Sequence, residues 1–233
     1  MERNNFEERL KAARVAFHNV VPLHSPVKLL QMDFTAANKE LTDDILNDVE
    51  LFYAYINDKL TAAGAEYGIG GYDEHRTIYS RSRVFDTSDG SEPRRLHLGI
   101  DIWGAADTPI YAPLAGTVHS FAFNDSYGDY GATLILQHKI EDLLFHTLYG
   151  HLSLKSIQNK QEGQMIEAGE WIASFGEPEE NGHWPPHLHF QVILDMQGWK
   201  GDYPGVCKYS ERENYLANCP NPDSILGMMA LAT

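Results

Sequence analysis

His97-Leu98-Gly99-Ile100-Asp101 and Pro186-His187-Leu188-His189-Phe190 are the stretches on which the reading of this chain turns. Side chains in a strand alternate between faces, so His187 and His189 project together while Leu188 and Phe190 turn to a core. By the same alternation a strand over His97–Ile102 puts His97 and Asp101 on one face, with room left by Gly99, and Leu98, Ile100 and Ile102 on the other. A lone H-x-H or H-x-x-x-D is commonly accidental. Two of them on predicted strands, each polar on one face and apolar on the other, point to a metal. Imidazole and carboxylate suit zinc, and a catalytic zinc takes three protein ligands plus a water whose pKa falls to roughly 7. Two histidines and Asp101 fill that set. A hydrolase also needs a proton carrier and an oxyanion stabiliser. His151, in Leu148-Tyr149-Gly150-His151-Leu152-Ser153 at the end of a predicted strand, supplies one such group beside the remaining member of the His-x-His pair.

Outward from these stretches, the chain from Tyr67 reads as short strands: His97–Ile102, Gly116–Phe123, Thr133–His138, Leu143–Leu148, Trp171–Phe175 and His187–Leu194. Turn signals such as Asn124-Asp125-Ser126-Tyr127-Gly128 separate them. Gly68, Gly70 and Gly71 read as a flexible entry to this region. Many short strands without intervening helical patterns predict a mainly β, antiparallel domain over 66–233, with a short helix near Glu211–Leu216. Residues 1–65 read as an N-terminal helical extension. Thr42 caps a helix with Asp43 and Asp44 in its first turn; Ile45, Val49, Phe52, Ile56 and Leu60 form its apolar stripe, and Gly64 ends it.

Composition narrows the function classes. The 233 residues are 43% hydrophobic and 22% charged, which excludes a disordered chain. A formal net charge of −15 disfavours nucleic acid and anionic membranes as partners. No apolar run reaches the ~20 residues of a spanning helix. The N-terminus lacks a secretory signal pattern, so a cytoplasmic location is expected, periplasmic or extracellular only if a signal was removed. Cys207 and Cys219 are expected as free thiols.

The motifs His97-Leu98-Gly99-Ile100-Asp101, Tyr149-Gly150-His151-Leu152-Ser153 and Pro186-His187-Leu188-His189-Phe190, in this order, resemble those of the lysostaphin/LytM-type zinc metallopeptidases. Thr108-Pro109-Ile110-Tyr111-Ala112-Pro113-Leu114-Ala115-Gly116-Thr117-Val118 is also similar to a hallmark stretch of that family. The resemblance covers about Arg95 to Leu194; Trp184-Pro185-Pro186 and the Pro- and Cys-containing tail are similar to a divergent branch. It implies zinc as cofactor with His97, Asp101 and His189 as ligands, and His151 and His187 as the catalytic pair. It further implies an antiparallel β-sandwich or barrel-like fold of the duplicated hybrid motif type, and endopeptidase action on a peptidoglycan or related peptide. Which of His151 and His187 is the base stays open. The turn Asn181-Gly182-His183-Trp184-Pro185-Pro186 is bulkier than the family's, and Trp184 there lines the groove or covers an edge.

The other histidines read plainly. His138 is expected to support the site, His119 and His146 to be half-buried, and His183 to lie near enough for a substrate contact. His75 reads as a surface residue; His18 and His24 carry no signal. Three rival readings are a non-catalytic zinc- or peptide-binding module, a biotinyl- or lipoyl-type carrier, and a cupin-like site. The first expects lost ligands, the second a lysine-centred hairpin turn, and the third a glutamate soon after H-x-H; the sequence meets none of these.

Overall fold

The computed structural model of the protein describes residues 3–87 and 90–233. Numbered along the chain, the helices among them are α1 (Arg3–Ala13), α2 (Asp43–Asn47), α3 (Val49–Ala63), α4 (Arg212–Asn218) and α5 (Asp223–Leu226). The main sheet runs, edge to edge, β1 (Leu29–Gln31), β2 (Tyr67–Gly70), β5 (Ile100–Trp103), β12 (His187–Ile193), β9 (Leu143–Leu152), β8 (Gly131–Ile140), β7 (Gly116–Asn124) and β10 (Met165–Ile166). A second sheet joins β13 (Val206–Cys207), β4 (Leu96–His97) and β3 (Glu74–His75), and a ribbon pairs β11 (Trp171–Ser174) with β6 (Pro109–Tyr111). Every pairing is antiparallel except β1 with β2. The chain is therefore mainly β with N-terminal helices, as the alternation predicts.

The period-two pattern of β12 explains the layering. Leu188, Phe190 and Val192 enter a core with Leu134 and Leu136 of β8, Phe145 and Tyr149 of β9, and Phe6 and Leu10 of α1. Phe6 meets Phe145 edge-on at 5.2 Å; burying such side chains stabilises by about 1.5–3 kcal/mol each. His187, His189 and Gln191, on the opposite face of β12, are buried as well. A second cluster packs Phe52, Ile56 and Leu60 of α3 against Phe34, Tyr79, Trp103 and Trp184.

Four expectations need correction. The helix expected from Thr42 to Gly64 is two helices. Thr42 caps α2, but Asp48 leaves the helical region at φ −117° and caps α3 by accepting from Glu50 N and Leu51 N. Aspartate competes for backbone donors in this way, which overrides an apolar stripe. Gly64, at φ 59°, does end α3.

The strand expected over His97–Ile102 is broken at Leu98-Gly99, so His97 belongs to the second sheet and Asp101 to the main one. Gly99 permits this because a Cβ there would lie 2.5 Å from His189 Cε1 and 2.8 Å from Phe190 O. Strand alternation is thus the wrong reason for the meeting of His97 and Asp101.

Gly68 and Gly70 are not flexible: they lie in buried β2, where a Cβ would meet Met32 Cγ at 2.8 Å and Met32 O at 2.9 Å respectively. Finally, residues 1–65 are not helical throughout, since β1 is an edge strand of the main sheet. No helix among the described residues is long and apolar enough to cross a membrane.

Candidate metal centre

Strand register assembles the site. β12 lies between β5 and β9, which sets His189 opposite Asp101 on one side and Gly150 on the other. β4 brings His97 from the second sheet. His97 Nε2 and His189 Nδ1 are 2.9 Å apart, and Asp101 Oδ1 is 3.3 Å from the first and 3.1 Å from the second. All three side chains are at most 3% exposed.

The opposite edge of each donor is already engaged. His97 Nδ1 donates to Gly71 O at 2.9 Å, and His189 Nε2 donates to Gln191 Oε1 at 2.9 Å. Asp101 Oδ2 accepts from Arg76. With those ring protons placed, the nitrogens that face each other carry lone pairs, so three acceptors converge with no proton among them. Such a buried arrangement is favourable only around a cation. Burial, then Arg76 nearby, pushes the His97 pKa down to about 3, which keeps the ring neutral. Burial works against the Asp101 carboxylate, yet His97 and Arg76 beside it hold its pKa well below the usual range. Tetrahedral ligands 2.0–2.1 Å from zinc stand about 3.3 Å from one another, close to the separations here. The residues fit zinc.

His151 and His187 lie alongside, with ring centroids 4.1 Å apart. His151 Nδ1 donates to Asn181 O and His187 Nδ1 to Pro185 O, each at 2.7 Å, which leaves both Nε2 atoms unprotonated. Burial lowers both pKa values, to about 4 for His187. His187 is sandwiched on its other face by Trp103, at 3.9 Å and 15°. His151 occupies the left-handed region at φ 62°, a strained backbone of the kind that clusters at functional sites.

These residues border a cavity of ≈ 240 Å³ with His189, Asp101, Trp103 and Trp184. Its apolar walls include Ile78, Phe85 and Val206, and its charged groups include Arg94, Asp129 and Asp202.

The structure therefore brings His97, Asp101, His151, His187 and His189 together. Trp184 is 3% exposed and lines the cavity, with the Arg81 guanidinium 4.6 Å above its ring. His138 does not support the site: its partners are Ala115 O and Thr147 Oγ1 on the core side of β8. His146 is buried rather than half-buried, and His183 is exposed and stacked on Tyr127. Cys207 and Cys219 are buried free thiols. Sequence reasoning missed Gln191, Arg76, Trp103 and also Tyr130, which borders the cavity with its hydroxyl 3.4 Å from His189 Nε2. Gln191 was within reach, since it follows His187 and His189 at the same two-residue interval.

A buried set of two imidazoles and one carboxylate, with two further histidines on the same cavity, is an arrangement that could hold a single metal ion. Residues 95–200 match the profile of peptidase family M23, so this stretch is similar to the M23 metallopeptidases, and the His97, Asp101 and His189 cluster within it suits zinc. An uncharacterized metalloprotease of Haemophilus influenzae is 34% identical over 101 residues, which are 43% of this chain and 19% of that one. The L-Ala–D-Glu endopeptidase of Bacillus subtilis is 29% identical over 148 residues, 59% of this chain and 43% of that one. The chain thus spans less than half the length of either relative. The catalytic domain of the antimicrobial peptidase lysostaphin from Staphylococcus simulans is 19% identical, with a TM-score of 0.40, and the match covers 70% of this chain and 97% of that one.

Proposed function

We propose that this protein is a zinc-dependent endopeptidase that hydrolyses a peptide bond in a peptidoglycan peptide or a related small peptide. His97, Asp101 and His189 hold the metal, and His151 and His187 move protons. The observation that carries this reading is the meeting of three unprotonated donors and two further unprotonated imidazole nitrogens on one cavity. Zinc bound there supplies a Lewis acid for the peptide carbonyl and an acidified water.

The chain's own residues do the rest. The carbonyls of Asn181 and Pro185 fix the tautomers of His151 and His187, so Nε2 of either ring can take a proton from a nucleophilic water. The same atom then returns it to the leaving amine. The indole face of Trp103 stabilises the imidazolium that His187 becomes when it holds the proton. Apolar walls exclude bulk water, which strengthens each of these interactions. The small volume suits a short peptide segment rather than a folded protein.

No observation of the fold or of the relatives supports the cytoplasmic placement expected from the N-terminus. The test is elemental analysis of purified protein paired with hydrolysis of muropeptides and glycine-rich peptides. Zinc at one equivalent with cleavage abolished by chelation and restored by zinc is the expected result. Zinc without hydrolysis of any peptide would favour the binding-module reading.

A further inference from the structure

Two of the three donors rest on a segment outside residues 95–200. Gly71 O accepts from His97 Nδ1, and Arg76 donates through one terminal nitrogen to Asp101 Oδ2. Arg76 is fully buried. Its Nε donates to Glu74 Oε2 at 2.6 Å, its second terminal nitrogen to Gly70 O at 3.2 Å, and the first also reaches Tyr79 Oη at 3.3 Å. The guanidinium lies 5.2 Å from the Phe34 ring centre.

The backbone is shaped around this group. Gly71 sits at φ 103°, and a Cβ there would stand 1.7 Å from the guanidinium. Burying a guanidinium is costly unless carboxylates meet it, and a hydrophobic residue would fill such a place at lower cost. The position of Arg76 therefore calls for a role beyond packing.

We propose that Arg76 is a positioning residue for the metal. By holding Asp101 Oδ2, it presents Oδ1 to the point where His97 Nε2 and His189 Nδ1 converge, so the metal centre extends to residues 70–76. This rests on the reading of Asp101 as a metal ligand. Glu74 anchors the far side of the guanidinium, so a turn of Asp101 toward the metal with both oxygens would take from the buried terminal nitrogen its carboxylate acceptor. The forked donor geometry makes the arrangement specific to arginine.

Arg76→Lys tests it, because the charge is kept and only the fork is lost. Zinc affinity, measured by chelator competition on protein shown by circular dichroism to be folded without metal, should fall 10- to 100-fold. The visible spectrum of the cobalt-substituted variant should change as Asp101 gains a second binding mode, a change that a merely structural arginine would not produce. Glu74→Gln, at a side chain 16% exposed, provides a second variant should Arg76→Lys fail to fold, and it should weaken zinc several-fold. Folded variants with wild-type zinc affinity and an unchanged cobalt spectrum overturn the proposal. Asp101→Asn separates the two readings: wild-type zinc binding there refutes the ligand assignment itself. Loss of zinc in Asp101→Asn alongside wild-type binding in Arg76→Lys refutes only the role of Arg76.

Discussion

Phe52→Ala asks whether the N-terminal helices belong to the same cooperative unit as the metal centre. Phe52 is completely buried and lies 6.1 Å from Phe34, 6.0 Å from Trp103 and 6.4 Å from Trp184. Removing a ring from such surroundings costs about 3–5 kcal/mol, because the transfer and cavity terms add and three aromatic neighbours cannot close the gap. In a chain of this size each kcal/mol lowers the melting temperature by about 2–4 °C, so a drop of roughly 6–20 °C is expected. Calorimetry on metal-free protein is the appropriate assay, since bound zinc would add its own stabilisation by mass action. One transition should remain, displaced as a whole. Turnover should fall too, because Trp103, which Phe52 supports, lies flat against His187. A shift below about 2 °C, or a separate early transition with the main one unmoved, would refute the view that α3 is integral to the core.

Four further outcomes are expected. His189→Ala should abolish stoichiometric zinc, read by elemental analysis, whereas His151→Ala should keep zinc and lose about 10²–10⁴ in turnover; normal zinc in the former or an unimpaired rate in the latter contradicts the assignments. Gly99→Ala, whose new Cβ would press on His189 Cε1 at 2.5 Å and Phe190 O at 2.8 Å, should weaken chelator-measured zinc binding by at least tenfold and lower the melting temperature. Burial pushes the Cys207 and Cys219 thiols up to about 12, so neither carries thiolate at pH 8, and a thiol reagent should titrate both only after denaturant is added; stoichiometric labelling of native protein would contradict their burial.

What could be read from the sequence was what depends on short intervals. The alternation in His187–Ile193 sorted its residues correctly onto two faces, and the strands over Gly116–Asn124, Gly131–Ile140 and Leu143–Leu152 were found with ends short by a few residues. What escaped depends on approach between distant segments. Gly68 and Gly70 read as flexibility and Gly99 as room between two side chains, yet each exists because Met32 or His189 comes too near for a Cβ. The apolar stripe from Ile45 to Leu60 runs unbroken past Asp48, yet the Asp48 carboxylate starts a new helix. Arg76 carried no local signal: its meaning comes from Asp101, Glu74 and Gly70 around it. His97 and Asp101 do meet, but not through strand alternation, which the interruption between β4 and β5 at Leu98-Gly99 removes.

That break has a mechanical consequence. One imidazole belongs to the small sheet and the other two donors to the large one, so an ion gripping all three works as a rivet through a seam. Stripping it should loosen that seam before anything else gives way, with faster amide exchange in β4, β5 and their connecting turn than in β8 or β9. Metal supply would then govern not only turnover but also where a protease first cuts this protein.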